Sequence, residues 1–102
     1  MKVYNKLVRD KIPEIIKKDG KVPIVKIADD EEFELKLIEK LKEEIEEYEK
    51  DKNPEELADI LEIIDSVIKL NKINKKDLIK IRNKKSKEKG SFDNKVILKE
   101  VK

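Results

Sequence analysis

Two runs of apolar residues at helical spacing, within residues 30–70, constrain the fold of this chain most. Asp29 or Asp30 can cap the first helix, which we expect to run to about residue 50. Asn53 and Pro54 then restart the chain as N-cap and first helical residue of a second helix that ends near Leu70. A connection this short predicts that the two helices pack antiparallel. The first helix has one apolar stripe, formed by Leu37, Ile38, Leu41, Ile45 and Tyr48.

The flanking segments predict smaller elements. Residues 4–18 indicate a turn-rich lead and then a short helix that Pro13 starts and Asp19-Gly20 ends. The β-branched stretch 21–27 predicts a strand or extended segment, with Pro23 suited to an edge. Residues 75–90 predict a more basic helix that Gly90 stops, and 95–101 a short strand that pairs with 21–27. We therefore expect one all-α domain over residues 1–102, a helical bundle with short extended or β segments near 21–27 and 95–101.

The residue types that are missing limit the chemistry. The chain has no His, Cys, Gln or Thr, and its three Ser are Ser66, Ser86 and Ser91. This excludes catalytic triads that need His, Cys nucleophiles and ordinary Cys/His zinc sites. Carboxylates, Lys, two Arg, Tyr or a bound cofactor remain, and carboxylate oxygens bind hard cations such as Mg²⁺. By elimination, a carboxylate–metal mechanism is the leading option for an enzyme of this composition.

The apolar content predicts association and a cytoplasmic location. Only 37% of the residues are hydrophobic, with two Phe, two Tyr and no Trp. A monomer would have a thin core, so we expect helix pairing between subunits, in a homodimer or homotetramer. No stretch approaches the roughly 18 consecutive apolar residues of a membrane span. No apolar signal region follows Met1, and the absence of Cys agrees with a cytoplasmic protein that has no membrane partner.

The net charge of +2 hides a segregation of charge along the chain. Residues 1–28 carry 8 basic and 3 acidic side chains, residues 29–62 carry 5 and 16, and residues 69–102 carry 13 and 4. An acidic centre between basic ends can hold a cation and, beside it, an anionic substrate. The alternative is that most of these charges solvate helix faces. The acidic centre argues against a nucleic-acid partner, which would need a continuous basic face.

Acidic residues interrupt the apolar face of the second long helix. Glu56 projects between Ile63 and Val67, inside the apolar arc, and Asp59 lies at its edge. An unpaired buried carboxylate is costly, so both acids require an explanation. Capping near Asn53 and the helix dipole can account for Glu56, but they account less well for Asp59.

The first long helix carries a second pair of acids. Glu44 and Glu47 lie one turn apart, and Glu44 borders the apolar stripe. In an antiparallel pair these two can face Glu56 and Asp59, and four converging carboxylates repel unless a divalent cation lies between them. The sequence therefore predicts one or more Mg²⁺ ions at this position. The alternative is chance, because the stretch 43–49 is rich enough in glutamate to produce such spacings by itself.

The same acids carry a resemblance to a known family. The stretches "EEIEE" and "EELAD" resemble the E-E-x-x-E and E-x-x-D signature of the MazG-type all-α nucleotide pyrophosphohydrolases. The opening "YNKLVRDKIPEII" and the closing "IRNKKSKEKGSF" resemble the ends of a small single-domain branch of that superfamily. Chains of that branch are described as house-cleaning pyrophosphatases or as phosphoribosyl-ATP pyrophosphohydrolase-like. The resemblance covers nearly the whole chain, and its matching residues are Glu43, Glu44, Glu47, Glu56 and Asp59.

The resemblance implies a helical fold that works as a dimer or higher oligomer. It also implies cleavage of a nucleoside triphosphate into the monophosphate and pyrophosphate, in the house-cleaning of non-standard nucleotides. By position, the ligands of Mg²⁺, or of Mn²⁺ as the alternative ion, would be Glu44, Glu47, Glu56 and Asp59. Glu43 or Glu47, if not fully used as a ligand, would act as the catalytic base.

The basic ends are candidates to hold the polyphosphate. Lys85 and Lys89 match positions where the family has phosphate-binding residues; the other candidates are Lys6, Arg9 and Lys11, for which a solvated basic turn is the alternative. Tyr4 and Phe92 either flank a base or, the reading we favour, belong to the core. The chain departs from the family pattern in a shorter gap between Glu47 and Glu56, in Lys89 where Arg is typical, and in Ser91 where Gly is common.

Two other functions remain open from the sequence. Hydrolysis of phosphoribosyl-ATP in histidine biosynthesis would use the same cation chemistry on a related fold. A non-catalytic helical assembly module with a vestigial site would carry the same acids without turnover.

Overall fold

The computed structural model describes residues 2–102, and within them it contains four helices and no strand. The prediction of an all-α fold is confirmed. The chain divides into two compact units, residues up to 71 and residues 72–102, which are described separately. The single domain expected over residues 1–102 stays a prediction. The helices are α1 (Ile12–Lys18), α2 (Asp30–Asp51), α3 (Pro54–Leu70) and α4 (Lys75–Lys89).

Side-chain caps begin the three longer helices, and the sequence predicts the caps of α2 and α3. Asp29 Oδ1 accepts a hydrogen bond from the backbone N–H of Glu32 at 2.8 Å, at the start of α2. Asn53 Oδ1 accepts from the N–H of Glu55 at 3.0 Å, with Pro54 as the first residue of α3. The N-cap of α4 is Asn74. Each cap satisfies a backbone donor that has no partner inside its own helix.

A tight connection folds α3 back onto α2. Lys52 adopts a left-handed conformation, with φ of 53°, and its N–H donates to Tyr48 O at 2.8 Å. Asn53 then starts the next helix at once, so the two packed helices form an antiparallel hairpin. The buried apolar side chains of the described residues are Leu37, Ile63 and Ile68.

Of the strand or extended segments expected at 21–27 and 95–101, the strand alternative and the pairing are wrong, because neither segment is a strand. Their side chains are largely in solvent: Ile24 is 91% exposed and Val96 is 82% exposed. A β-branched residue favours a strand only when a neighbouring strand completes the hydrogen bonds and covers one face. Neither segment has such a ladder, so the local preference has no effect.

The unit of residues 72–102 consists of α4 and the irregular segment that follows it. Gly90 ends α4, with φ of 88°, and every residue of this unit is exposed to solvent. Neither α4 nor any other helix within residues 2–102 is long and apolar enough to cross a membrane.

We predict that Asn53→Ala lowers the free energy of unfolding by about 1 kcal/mol, because the first turn of α3 loses its side-chain acceptor. Asn53→Asp keeps an acceptor at this position and is the matched control. Urea denaturation followed by helical circular dichroism measures both variants. Equal losses in the two variants would show that the cap does not stabilise α3.

Candidate metal site

Helix α2 gathers three carboxylates on one side. Glu43, Glu44 and Glu47 each offer one oxygen, and these oxygens lie within 4.8 Å of one another. Ligands on opposite sides of an octahedral Mg²⁺ lie about 4.2 Å apart, twice a metal–oxygen distance of about 2.1 Å. The separations of the three oxygens are therefore of the order found among the ligands of one ion.

Glu44 is the buried member of this group of acids. It is only 4% exposed, and its Oε2 is buried without a hydrogen-bond partner. Its Oε1 lies 3.8 Å from Lys40 Nζ, which offsets only part of the charge. Burial, and then the charges of Glu47 and Asp59, raise the pKa of Glu44 to about 6, while Lys40 opposes the shift. A buried carboxylate of this kind is stabilised by a proton or by a cation.

Glu56 presents a second buried oxygen without a partner, on α3. Its Oε2 is inaccessible to solvent and makes no hydrogen bond. The cap of α3 is made instead by Asn53. Capping therefore leaves the buried oxygen of Glu56 unsatisfied, as the metal hypothesis expects.

Asp59, another of the four predicted metal ligands, forms an ion pair with Arg9. Its Oδ1 accepts a hydrogen bond from Arg9 Nη2 at 2.7 Å. The structure thus brings Glu44 and Glu47 together with Glu43, while Glu56 and Asp59 lie outside this group. The group therefore contains two of the four predicted metal ligands, Glu44 and Glu47.

Basic side chains from the N-terminal lead contact these acids. Besides Arg9 on Asp59, Lys6 Nζ lies 3.3 Å from Glu43 Oε1. Lys6 and Arg9 were predicted from the sequence as phosphate-binding residues, but their ion pairs with Glu43 and Asp59 were not predicted. The charge segregation between residues 1–28 and 29–62 agrees with contacts between these segments, but it does not identify either pair.

Lys40 was also missed by the sequence analysis. Its Nζ lies 3.8 Å from both Glu43 Oε2 and Glu44 Oε1. Its position, three and four residues before these acids on the same helix, is the spacing at which side chains meet, so the pattern was readable. The charge of Lys40 reduces the repulsion among the carboxylates.

The remaining phosphate-binding candidates lie away from the three carboxylates in the sequence. Lys11 is exposed at the N-cap of α1. Lys85 and Lys89 belong to α4, in the unit of residues 72–102. Lys89 lines, with the segment that follows it, an open concavity of about 470 Å³. Their role in phosphate binding stays a prediction.

Both aromatic residues discussed as core candidates are exposed, so the core interpretation is wrong. Tyr4 is 61% exposed and Phe92 is 98% exposed. The ammonium groups of Lys2 and Lys6 lie 5.2 and 5.9 Å from the centre of the Tyr4 ring. The buried apolar residues of the described chain lie on α2 and α3, and neither ring is among them.

Comparison with protein families, with curated proteins and with solved structures finds no match to this chain. The buried oxygens of Glu44 and Glu56 and the cluster on α2 therefore carry the functional argument. Both features fit a hard divalent cation, because every donor is a carboxylate oxygen.

We predict that stability falls as pH rises through the titration of Glu44. A raised pKa means that the folded protein holds this proton more tightly than the unfolded chain, whose value is 4.5. The stabilisation by the proton is lost between about pH 4.5 and 6, and it amounts to on the order of 2 kcal/mol above that range. Glu44→Gln removes this loss, so without divalent ions it should be more stable than wild type above about pH 6.

Urea denaturation in EDTA at a series of pH values measures this effect. Glu46→Gln, in the same stretch of α2 but outside the cluster, is the matched control and should follow wild type. If Glu44→Gln and wild type show the same pH dependence, the burial of Glu44 carries no electrostatic cost.

Proposed function

We propose that this chain is a Mg²⁺-dependent pyrophosphohydrolase that cleaves a nucleoside triphosphate into the monophosphate and pyrophosphate. The observation that carries the proposal is the buried Glu44 carboxylate, whose Oε2 has no partner and which lies among Glu43 and Glu47. The resemblance to MazG-type enzymes supplies the reaction class. House-cleaning of non-standard nucleotides is the cellular role that it implies.

The ion would be held first by the three carboxylates of α2. Glu56 and Asp59 on α3 would add ligands, the former with an oxygen that is already unsatisfied. When bound, a divalent ion supplies neutralisation of phosphate charge and lowers the pKa of a bound water. Mn²⁺ prefers similar oxygen ligands and is the alternative ion.

Side chains of this protein would accept the proton and bind the phosphate groups. Glu43 or Glu47 takes the proton of the attacking water, because Glu44 is buried and better suited to hold the ion. The phosphate chain is bound by basic groups of the N-terminal lead, since Lys6 and Arg9 keep 41% and 57% of their side-chain surface exposed. Transfer of a phosphoryl group requires mainly such positioning and charge stabilisation.

Pyrophosphate release tests the reaction. Wild type should release pyrophosphate from at least one of a panel of standard and damaged nucleoside triphosphates with Mg²⁺, and none in EDTA. Glu44→Gln should lower the rate on the order of 100-fold or more, since it removes a ligand of the charge-stabilising ion. Glu46→Gln, as control, should retain wild-type activity.

Phosphoribosyl-ATP belongs in the same panel, because its hydrolysis uses the same cation chemistry. Turnover of this compound alone would replace the nucleoside triphosphate proposal by the histidine-biosynthesis reaction. No turnover of any compound, with Glu44→Gln indistinguishable from wild type, would leave the non-catalytic assembly module as the better interpretation.

We also propose that two or more copies associate through exposed apolar stripes beside the core. Ile38 and Ile45 form such a stripe on α2, and Leu57, Leu61 and Ile64 form one on α3. The cleft between the N-terminal lead and α2 has a volume of about 10 Å³, the size of one water molecule. A nucleotide site of useful size therefore needs additional surface, which a second copy can supply.

We predict that Leu61→Gln weakens self-association, because Leu61 is 66% exposed in one copy and would be covered in the assembly. The dissociation constant should rise roughly 10- to 100-fold, the effect of losing one buried leucine. Light scattering over a concentration series measures it. Val22→Gln, at an apolar residue 86% exposed outside the helices, is the control. A monomeric wild type would exclude the assembly.

A further inference from the structure

We propose that Arg9 is a cation switch: it neutralises Asp59 while no divalent ion is bound, and it moves to the substrate phosphate when an ion occupies the carboxylates. This inference rests on the proposed function and specifies how the same site changes between its metal-free and metal-bound states. Arg9 is thus both a competitor of the metal and a phosphate ligand.

The contact that carries this proposal is a close ion pair. Arg9 Nη2 donates to Asp59 Oδ1 at 2.7 Å across 50 residues of sequence. Both side chains are partly exposed, at 57% and 39%, and ion pairs of this kind are weak enough to open. The pair is therefore close enough to occupy Asp59 but not strong enough to exclude a divalent ion.

A second cation of the same lead repeats the arrangement. Lys6 Nζ lies 3.3 Å from Glu43 Oε1, so each long helix has one of its acids paired with the N-terminal lead. Lys36 Nζ donates to Asn5 O at 2.8 Å, which anchors the lead to α2 close to these cations. A released arginine side chain would consequently stay near the site.

The electrostatics explain why the pair must open. If Glu44 and Glu47 held a divalent ion, Asp59 would be attracted to the ion and the guanidinium of Arg9 would be repelled by it. Arg9 is attracted by the negative charges of Asp59, Glu62 and Glu44. A bound ion would neutralise part of this charge and so free the arginine side chain for another anion. A phosphate group is the anion that a planar guanidinium binds best, through paired hydrogen bonds.

This dual role predicts effects of opposite sign from one substitution. Arg9→Met removes the competitor, so the protein should bind Mg²⁺ roughly three- to tenfold more tightly, the scale of a weak ion pair. The same variant loses a charged phosphate donor, so inorganic pyrophosphate at saturating Mg²⁺ should bind roughly tenfold more weakly. A residue that merely supports the fold would weaken both.

Isothermal titration calorimetry measures the two affinities in wild type, Arg9→Met and Arg82→Met. Arg82 is the other arginine of the chain and lies on α4, so its replacement changes the net charge equally. The Arg82→Met variant should match wild type in Mg²⁺ affinity. Tighter Mg²⁺ binding together with weaker pyrophosphate binding, only in Arg9→Met, supports the switch.

A measurement on wild type keeps the test independent of how the variant folds. With two arginines, the Nε–H region of a nitrogen–proton spectrum holds two signals, and Arg9→Lys assigns them. Saturation with Mg²⁺ should move the Arg9 signal and leave the Arg82 signal in place. An Arg9 signal that does not respond while Mg²⁺ binds would overturn the switch.

The outcomes separate the switch from the proposed function. Equal Mg²⁺ affinity of wild type and Arg9→Met, with loss of binding in Glu44→Gln, overturns the switch and leaves the metal site standing. Weaker Mg²⁺ binding by a folded Arg9→Met also overturns it. Absence of Mg²⁺ binding by wild type overturns the metal site and the switch together.

Discussion

The packing of α3 against α2 is the constraint on which the rest of this structure depends. It buries Leu37 and Ile63, and these few apolar contacts hold the hairpin together. Glu44 lies seven residues after Leu37, two turns further along the same face of α2, so the packed face also takes this carboxylate out of water. The hydrophobic packing therefore buries a carboxylate, and the proposed ion would neutralise its charge.

The free-energy cost of burying the carboxylates of Glu44 and Glu56 argues most strongly against a purely structural role for these acids. The described part of the chain pairs Asp59 with Arg9 and Glu43 with Lys6, yet it leaves buried oxygens of Glu44 and Glu56 unsatisfied. Replacing these two by neutral residues would remove that penalty in a helical module with no ligand. Violations of local stability rules concentrate at functional sites, and here they occur on facing helices.

Short-range chemistry made the helices predictable from the sequence. Asn53 and Pro54 mark a helix start whatever the tertiary structure, and the spacing of Glu43, Glu44 and Glu47 places them on one side of any helix. Residues 21–27 do not form a strand. A strand needs a neighbouring strand to complete its hydrogen bonds, and no local sequence pattern specifies that neighbour. The exposure of Phe92 was missed for a related reason: its type favours burial, but burial requires an element to cover it.

The pairing of Arg9 with Asp59 could not be read from the sequence. The chain holds 26 basic and 24 acidic residues, and exposed pairs among them differ little in free energy. Only the course of residues 4–11 over the hairpin selects this pair. The charge segregation along the sequence does not specify which side chains meet.

The short connection between α2 and α3 also has a consequence for folding, because it favours early formation of the hairpin. Contacts across the hairpin join residues close in sequence, and folds of low contact order form in microseconds to milliseconds. The Arg9–Asp59 contact closes a loop of 50 residues and carries a larger entropic cost. We therefore expect the hairpin to form first, with Glu43 and Asp59 unpaired until Lys6 and Arg9 reach them.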